Sequence, residues 1–433
     1  MTSNNGLTPV TTKKLCMGRT RKYDQKVLVC AFFMAIGVTL SFGAQANSLH
    51  GFAQASWVNI ENQTPWLQSW LRGGTGLTRF DAEQDQLQFN QAIIEGQYDI
   101  STAWSIDATA LAAHDGESNI GVTEALLTYK PLTEGWRHQV RLGAFYPVMS
   151  LENVDTGWHS PYTYSFSAIN SWLAEELRIF GAEYQLTRPG RQFNTPHSWT
   201  LVGATYSGND GLGTLLSWRG WAMHDRQTLI GERVNFADYP SFSGLLERQP
   251  AWVDPFKETD HNLGYYVGAH WRYRNQSDLR VYFYDNRGDG EQQETSGQYA
   301  WDTQFASVAW QYRFNASTRL LTQWMSGNTK MGKPTVDLDF SAYYLMLSHK
   351  VDQHRLSIRY DWFDTTELDD YATDPNDSQG DAWTLAWRYP LNNNLEIGAE
   401  YLQFTSSNEN RELWGWDREE RQRQTQLVIN LSF

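Results

Sequence analysis

The chain has 433 residues, of which 35 are Lys or Arg and 49 are Asp or Glu, so its formal net charge is -14. Aromatic residues make up 14% of it, and the mean hydropathy is -0.56. These values exclude a small disulfide-stapled domain, a disordered chain and a multi-helix membrane protein, and the acidic balance argues against nucleic acid as the main partner. They are compatible with a membrane β-barrel, whose strands expose only alternate residues to lipid.

The N-terminal segment has the order of a secretory signal. Basic residues precede an apolar run at 27–42, and the small-x-small site at 44–46 (Ala-Gln-Ala) follows directly. We therefore expect residues 1–46 to be removed, which leaves 47–433 as one mature domain; the alternative is an uncleaved membrane anchor. Both cysteines, Cys16 and Cys30, lie in the removed segment. The mature chain is then expected to have no disulfide and no cysteine metal site.

The rest of the chain alternates apolar and polar residues with period two, which is typical of β-strands. In the last run, Leu427, Ile429 and Leu431 share one face with the terminal Phe433. Sixteen such runs predict strands at 49–60, 86–100, 103–114, 120–131, 136–149, 175–187, 198–208, 262–274, 278–286, 299–314, 317–327, 338–350, 354–364, 380–390, 395–405 and 422–433.

The connections between these strands alternate between short turns and long loops. In hydrocarbon every backbone N–H must be paired within the protein, so a membrane β-structure must close into a barrel without edges. An even strand count places both termini on the side of the short turns. The pattern thus predicts an all-β fold, a transmembrane antiparallel β-barrel of about 16 strands. An exported β-sandwich or propeller is the alternative, but it does not explain the loop asymmetry.

The signal site, the cysteine-free mature chain and the run 427–433 resemble those of bacterial outer-membrane porins. In that group a C-terminal aromatic is read by the barrel-assembly machinery, a role that the resemblance implies for Phe433. Segment 141–153 is similar to the stretch that leads into the third loop of the phosphate-selective porin family; the matching residues are Gly143, Phe145, Pro147, Ser150, Leu151 and Glu152. The resemblance implies a homotrimeric sixteen-stranded channel in the outer membrane of a Gram-negative bacterium, with short periplasmic turns and long extracellular loops.

The selectivity of a wide barrel depends on what narrows its lumen. The first candidate is the third long loop, 150–174, which we expect to enter the lumen; an extracellular cap or a subunit contact is the alternative. The charged candidates in and just after this loop are Glu152, Asp155, His159, Glu175, Glu176 and Arg178. The second candidate is 209–261, rich in Arg and Trp, which either folds inward as the eyelet or latches onto a neighbouring subunit.

The strand face opposite the apolar one must look into the lumen. The wall cations predicted on it are Arg141, Arg272, Arg274, Arg313, Arg355, Arg359 and Arg388. The predicted wall anions are Glu95, Asp107, Glu124, Asp361, Glu396 and Glu400. Opposed rows of this kind create a transverse field that favours polar solutes. The alternative for each residue is a salt-bridge network that supports the wall.

No HExxH, GxSxG or P-loop motif occurs in the sequence, so we expect neither an enzyme nor a cofactor. The acidic loops 285–291 and 369–377 do not complete an EF-hand pattern, and we expect them to be hydrated and metal-free. The sequence therefore predicts a porin for passive diffusion of small hydrophilic solutes or ions, with outer-membrane lipid as its surroundings. The alternative is a non-conducting barrel that acts as an adhesin, a receptor or a structural protein.

Overall fold

The computed structural model describes residues 48–61, 64–84, 86–333 and 335–433. The predicted signal segment, 1–46, lies outside these residues. Neither α-helix in the described part of the chain has the length and apolar composition that crossing a bilayer requires.

Sixteen antiparallel strands form one closed barrel, in which each strand pairs with its neighbours along the barrel sequence and the last pairs with the first. This confirms the predicted all-β barrel. Before the long fourth loop, the strands are β1 (Ser48–Glu61), β2 (Leu87–Asp99), β3 (Trp104–Ala112), β4 (Ile120–Tyr129), β5 (Arg137–Phe145), β6 (Ile179–Arg188) and β7 (His197–Ser207). After two short strands inside that loop, β8 (Val234–Asn235) and β9 (Trp252–Val253), the barrel continues as β10 (Gly264–Tyr273), β11 (Ser277–Asp285), β12 (Asp302–Arg313), β13 (Thr318–Met331), β14 (Val336–Val351), β15 (His354–Glu367), β16 (Ser378–Pro390), β17 (Leu395–Asn408) and β18 (Glu419–Ser432).

Two α-helices lie in the loops, α1 (Ala168–Glu176) and α2 (Thr214–Trp218). Helix α1 begins where the Ser167 side chain accepts a hydrogen bond from the backbone N–H of Asn170, which is a regular N-cap. This helix corrects one boundary: the strand predicted at 175–187 begins only at Ile179. The strand predicted at 136–149 ends at Phe145, shortly before Pro147, which has no N–H to donate to a ladder.

The outer wall is apolar in the region where lipid is expected. Large apolar side chains point outward from strands all around the barrel, for example Leu201 on β7, Leu345 on β14 and Ile429 on β18. Near the short turns the outward positions are aromatic, with the ring pairs Trp104–Tyr129, Trp199–Trp271, Tyr312–Phe314 and Trp387–Tyr389. Aromatic rings prefer the headgroup zone, so this girdle marks one edge of the apolar belt.

The barrel closes where β18 meets β1, and this seam leaves no room for a side chain at Gly51. The backbone of Gly51 exchanges hydrogen bonds of 3.1 and 3.0 Å with that of Phe433. A Cβ on Gly51 would lie 2.5 Å from the Ile93 carbonyl oxygen and 2.4 Å from the Phe433 ring. Both distances are below any real contact, so a methyl group must displace the strand or the ring.

We expect Gly51→Ala to lower the free energy of unfolding by about 1–3 kcal/mol, the usual range for overpacking. Denaturant titration of the refolded barrel in vesicles measures this value. Gly96→Ala on the adjacent β2 is the matched control, because its Cβ would meet only an ordinary contact of 3.5 Å. Equal stability losses in the two variants would contradict the account of the seam.

Candidate functional site

Loop 3, residues 146–178, lies inside the barrel. The backbone N–H of Gly157 donates to Glu95 on β2 at 2.8 Å. The Ser150 carbonyl accepts from Arg280 on β11 at 2.7 Å. On another part of the wall, the N–H of Tyr164 donates to Glu400 on β17 at 2.6 Å. Because these strands lie on different sides of the barrel, loop 3 crosses the whole lumen rather than covering its rim.

A fully buried arginine on the wall holds the middle of loop 3. Arg359 on β15 binds Glu152 of loop 3 at 2.7 Å and Asp361 of its own strand at 2.7 Å. Its guanidinium also donates to the carbonyl oxygens of Ser165 and Phe166, both at 2.8 Å. A cation with two carboxylates and two carbonyls is well compensated even in a dry interior. Arg359 therefore fastens the loop to the wall.

Helix α1 of loop 3 carries two further predicted residues, Glu175 and Glu176, and both bind loop 4, residues 208–263. Glu175 is 2.7 Å from Arg219 and 3.2 Å from the ring nitrogen of His224. Glu176 accepts hydrogen bonds from the backbone N–H of Leu215 at 2.9 Å and, within α1, from the Trp172 indole at 2.6 Å. The two carboxylates therefore join loop 3 to loop 4, and neither of them is exposed to water.

Loop 4 also crosses the lumen, nearer the end that carries the long loops. Its Leu212 carbonyl accepts from Thr303 on β12 at 2.6 Å, and its Arg219 carbonyl accepts from Asn408 on β17 at 3.1 Å. Farther along, the N–H of Ile230 donates to the Val122 carbonyl of β4 at 2.9 Å. Of the two placements that the sequence leaves open, the structure has the inward one.

Loop 1, described at residues 64–84 and 86, completes this layer, a placement that the sequence did not predict. The Leu77 carbonyl accepts from the N–H of Met223 in loop 4 at 2.9 Å. Arg79 binds Asp115 at 2.5 Å and Asp225 of loop 4 at 2.8 Å. All three loops also contribute large apolar side chains to one buried cluster; those that are 0–1% exposed are Trp70, Leu77, Trp172, Leu173, Trp218, Trp221 and Met223.

The two halves of the lumen therefore differ. In the half beneath the long loops, inward wall residues such as Ala342 on β14 and Met325 on β13 are fully buried under the loops. In the half beneath the short turns, inward polar residues such as Thr200 and Gln185 remain partly exposed. We call this open half the vestibule. A cavity of about 300 Å³ between loop 3 and the wall opens here, lined by residues that include His50, Asp155, Arg388, Glu396 and Asn430.

The predicted wall charges mostly form bonded pairs. Arg141 on β5 is 2.7 Å from Glu183, and Arg388 on β16 is 2.8 Å from Glu396. Other predicted anions hold backbone or hydroxyl groups: Glu124 accepts from the Tyr146 N–H at 2.9 Å, and Asp107 from the Thr128 hydroxyl at 3.0 Å. For these residues the geometry matches the supporting network that the sequence left as the alternative.

Three predicted cations lie close to the short turns, where they are exposed. Arg272 on β10 binds Asp278 at 2.9 Å, and Arg313 is the last residue of β12. Arg274 is not on a strand: it lies in the turn between β10 and β11 with a φ of 50°, so its assignment as a wall cation was wrong. The chain reverses direction within residues 274–276, so Arg274 no longer follows the inward and outward alternation of β10.

The remaining predicted residues of loop 3 have different surroundings. Asp155 is exposed to the vestibule. The ring of His159 is buried, with Nε2 2.8 Å from the Gln91 amide and Nδ1 3.0 Å from the Gly157 carbonyl. Arg178 is fully buried and donates to the carbonyls of Thr123 at 2.7 Å and Thr228 at 3.0 Å. Only Asp155 among these three is placed to meet a solute.

The predicted wall cations did not include Arg280 on β11 or Arg319 on β13, which both point inward. Arg280 alternates with Leu279 and Val281, which point to lipid, so the period-two pattern contained the signal. The Arg319 guanidinium donates to the hydroxyl of Tyr162 in loop 3 at 3.1 Å. Both side chains join loop 3 to the vestibule wall.

Three acids lie together where loop 4 leaves β7: oxygen atoms of Asp210, Glu258 and Asp260 lie within 4.8 Å of one another. Burial, with the nearby charges of Asp260 and Glu258, raises the pKa of Asp210 from 3.8 to about 7. The Asp210 carboxylate accepts from the N–H of Thr259 at 2.5 Å, so its charge state acts on the base of loop 4. Because the pKa of Asp210 is higher in the folded loop than in the unfolded chain, protonation of Asp210 stabilises the folded loop. This contribution is complete below the unfolded pKa and is lost as the pH rises to about 7.

We therefore expect the backbone amides of residues 254–262 to be better protected against hydrogen exchange at pH 5 than at pH 8. Hydrogen exchange, expressed as protection factors, measures this difference. Asp210→Asn keeps an acceptor for Thr259 but cannot ionise, so it should abolish the difference. The exposed Asp238→Asn in the same loop should retain it; a pH-independent wild type would contradict the role of Asp210.

The sequence matches no protein-family model and no curated protein. Solved structures do match the fold. An anion-selective porin from Comamonas acidovorans is 13% identical, with a TM-score of 0.50 over 89% of this chain and 99% of that chain. The outer membrane channel DcaP of Acinetobacter baumannii is 9% identical, with a TM-score of 0.51 over 90% and 98%. A loop-deletion mutant of OmpT, an outer membrane protein of Vibrio cholerae, is 10% identical, with a TM-score of 0.51 over 89% and 98%.

The chain has the fold of an outer-membrane porin. At these identities the likeness concerns the fold alone, and it does not extend to the phosphate-selective family, which stays a prediction. The closed porin-type barrel and its apolar belt together place the chain in the outer membrane of a Gram-negative bacterium, because such barrels span that membrane with every backbone group paired. The short turns and both ends of the barrel then face the periplasm, and loops 1, 3 and 4 enter from outside.

Proposed function

We propose that the protein is a porin-type channel through which small hydrophilic solutes or ions diffuse passively, and that loops 3 and 4 restrict its conductance. Diffusion through a channel needs no catalytic residues and no cofactor, so the proposal includes neither. Selection would occur at two places, by size at the two crossing loops and by charge in the vestibule.

The observation that carries this proposal is the charged, water-accessible vestibule. Its wall presents cations on β12–β16, whereas Glu95 and Asp107 on β2 and β3 and Asp155 of loop 3 supply negative charge on other sides. Separated charges of opposite sign in a low-dielectric wall orient polar solutes. A barrel that only anchored a surface domain would gain nothing from charges that face water at the periplasmic mouth.

Single-channel recording in planar bilayers tests the proposal. We expect the refolded wild type to give discrete conductance steps that are small for a sixteen-stranded barrel, because such barrels usually leave an aqueous channel and this one is crossed by two loops. A correctly folded protein that remains silent over many insertions would contradict it. Folding is verified on the same sample by the heat-dependent shift in electrophoretic mobility.

A second candidate is a non-conducting barrel that serves as an adhesin, a receptor or a structural protein. The specific observation in its favour is the packed outer half, in which loops 1, 3 and 4 form one continuous apolar core with the wall. The same recordings decide between the two functions, since a folded but silent wild type is the result expected of the second candidate.

We also propose that the protein assembles as a homotrimer. The support is the resemblance to trimeric porins in the sequence and a fold match to OmpT of Vibrio cholerae in a trimer form, with 10% identity and a TM-score of 0.50. Light scattering of the detergent-solubilised protein, with the detergent mass subtracted, should give three times the mass of the mature chain.

A further inference from the structure

Five cations line the periplasmic mouth on five consecutive strands, β12 to β16. We call them the cation cluster: Arg313, Arg319, Lys350, Arg355 and Arg388. The strand registers place cations directly opposite one another: Arg313 faces Arg319, Lys350 faces Arg355, and Arg355 also faces Arg388. Like charges in directly opposite positions destabilise a sheet, so an arrangement with three such pairs needs compensation.

The compensation within the protein is incomplete. Elsewhere in the lumen, buried arginines of the wall form salt bridges with carboxylates: Arg141 pairs with Glu183, and Arg359 pairs with Glu152. In the cation cluster, Arg388 has Glu396. Among the residues that the structure describes, the other four cations form no salt bridge within 4.0 Å. The cluster therefore has a large excess of positive charge on one side of the vestibule.

The centre of the cluster is arranged around Tyr162 of loop 3. The guanidinium carbons of Arg319 and Arg355 lie 5.6 and 5.4 Å from the centre of its ring. One nitrogen of Arg319 donates to the Tyr162 hydroxyl at 3.1 Å, and one nitrogen of Arg355 donates to the Ser348 hydroxyl at 3.1 Å. The Nε of Arg319 is buried and has no partner. Each guanidinium has five N–H donors, so both retain donors for a ligand.

We propose that Arg319 and Arg355 form an anion subsite at the periplasmic mouth, which takes a small divalent oxyanion such as inorganic phosphate or a dicarboxylate. A planar guanidinium matches carboxylate and phosphate oxygens with paired N–H groups, and a divalent anion can neutralise the two cations that lie beside the Tyr162 ring. The Tyr162 ring and the Ser348 hydroxyl hold the two side chains in place. If the protein is the channel proposed above, the subsite specifies the class of solute that the channel carries; this part of the inference rests on the proposed function.

Binding is measured without conduction by titration calorimetry of the detergent-solubilised wild type with inorganic phosphate and, separately, with succinate. We expect saturable binding, and the anion with the higher affinity identifies the class. Arg319→Gln and Arg355→Gln should each weaken binding about tenfold, as expected for a lost charge-assisted hydrogen bond. Absence of saturable binding for both anions overturns the subsite.

Two further variants keep the test specific. Arg137→Gln removes the same charge from an exposed position at the start of β5, and it should change the affinity by less than about twofold. Arg355→Lys keeps the charge but loses the paired geometry, so its affinity should fall between those of the wild type and Arg355→Gln. A loss in Arg137→Gln as large as that in Arg355→Gln would show a diffuse charge effect and overturn the subsite. Each variant is first verified as folded by its heat-dependent mobility.

Recording in planar bilayers separates this inference from the proposed function. If the wild type conducts, phosphate on the periplasmic side should reduce chloride current in a saturable way, with a half-effect concentration that rises in Arg319→Gln. A protein that conducts but neither binds nor is blocked by phosphate or succinate retains the channel and overturns the subsite. A silent protein that binds phosphate overturns the channel and retains the subsite.

Discussion

Deleting residues 212–254 from loop 4 is expected to raise the single-channel conductance severalfold. This segment carries the contacts with β12, β17 and β4 through which the outer layer crosses the lumen. Its buried side chains occupy space that water would fill, and the conductance of a pore rises with its open cross-section. The deletion is geometrically feasible, because a Cβ on Gly211 would lie 2.9 Å from the Cα of Pro255, so the two ends already touch.

Planar bilayer recording measures the effect, with folding verified by heat-dependent mobility. The matched control deletes residues 293–299 of the loop between β11 and β12, whose ends are joined by the hydrogen bond from the Ala300 N–H to the Gln292 carbonyl at 3.0 Å. That segment packs against one side of loop 4, where the Gln298 amide donates to the Asp254 carbonyl at 2.8 Å, but it joins neighbouring strands and does not itself cross the lumen. The conductance should therefore change much less than in the loop 4 deletion. Equal conductance in both deletions would contradict the placement of loop 4.

Arg359→Leu is expected to have the largest effect on stability of any single substitution in the lumen. It leaves the carboxylates of Glu152 and Asp361, which are 0% and 1% exposed, without their cation. Breaking a buried ion pair on one side costs about 3–5 kcal/mol, because the remaining charge is neither hydrated nor compensated. The hydrogen bonds of the guanidinium to the Ser165 and Phe166 carbonyls of loop 3 are also lost, so loop 3 should detach and the current should become larger and noisier.

Denaturant unfolding in vesicles measures the stability loss. The triple variant Arg359→Leu, Glu152→Gln, Asp361→Asn removes all three charges and should recover most of the stability. Arg272→Gln serves as the control, since this arginine is exposed and its pair with Asp278 contributes less than about 1 kcal/mol. A loss in Arg359→Leu no greater than in Arg272→Gln would show that the buried pair does not hold the loop.

The barrel itself could be predicted because it depends on the alternation of apolar and polar residues within each strand. Each strand must present apolar residues to lipid at every second position, as Leu427, Ile429 and Leu431 do, so the strand count follows from periodicity alone. Helix α1 was missed because Glu175 and Glu176 precede a long alternating run. A signal was present: Ser167 as N-cap, followed by Ile169, Trp172 and Leu173 at helical spacing.

The site was less predictable because its contacts join distant parts of the chain. Arg359 and Glu152 are 207 residues apart, and no local pattern pairs them. Loop 4 illustrates the same limit, since its arginines and tryptophans suit either an inward or an outward fold until their partners are known. Arg319 could have been predicted from the sequence, because it follows the inward alternation of β13, but Tyr162, which positions it, comes from loop 3.

The outer half of the barrel is packed by loops, whereas the periplasmic half holds water. Single cysteines introduced into residues 47–433, whose natural sequence contains none, test this difference directly, by reaction with a membrane-impermeant thiol reagent in vesicles. Thr200→Cys in the vestibule should react, whereas Ala342→Cys beneath the loops and Leu201→Cys on the lipid face should not. Rapid labelling of Ala342→Cys would contradict the account, since water would then reach a wall position that the loops are expected to cover.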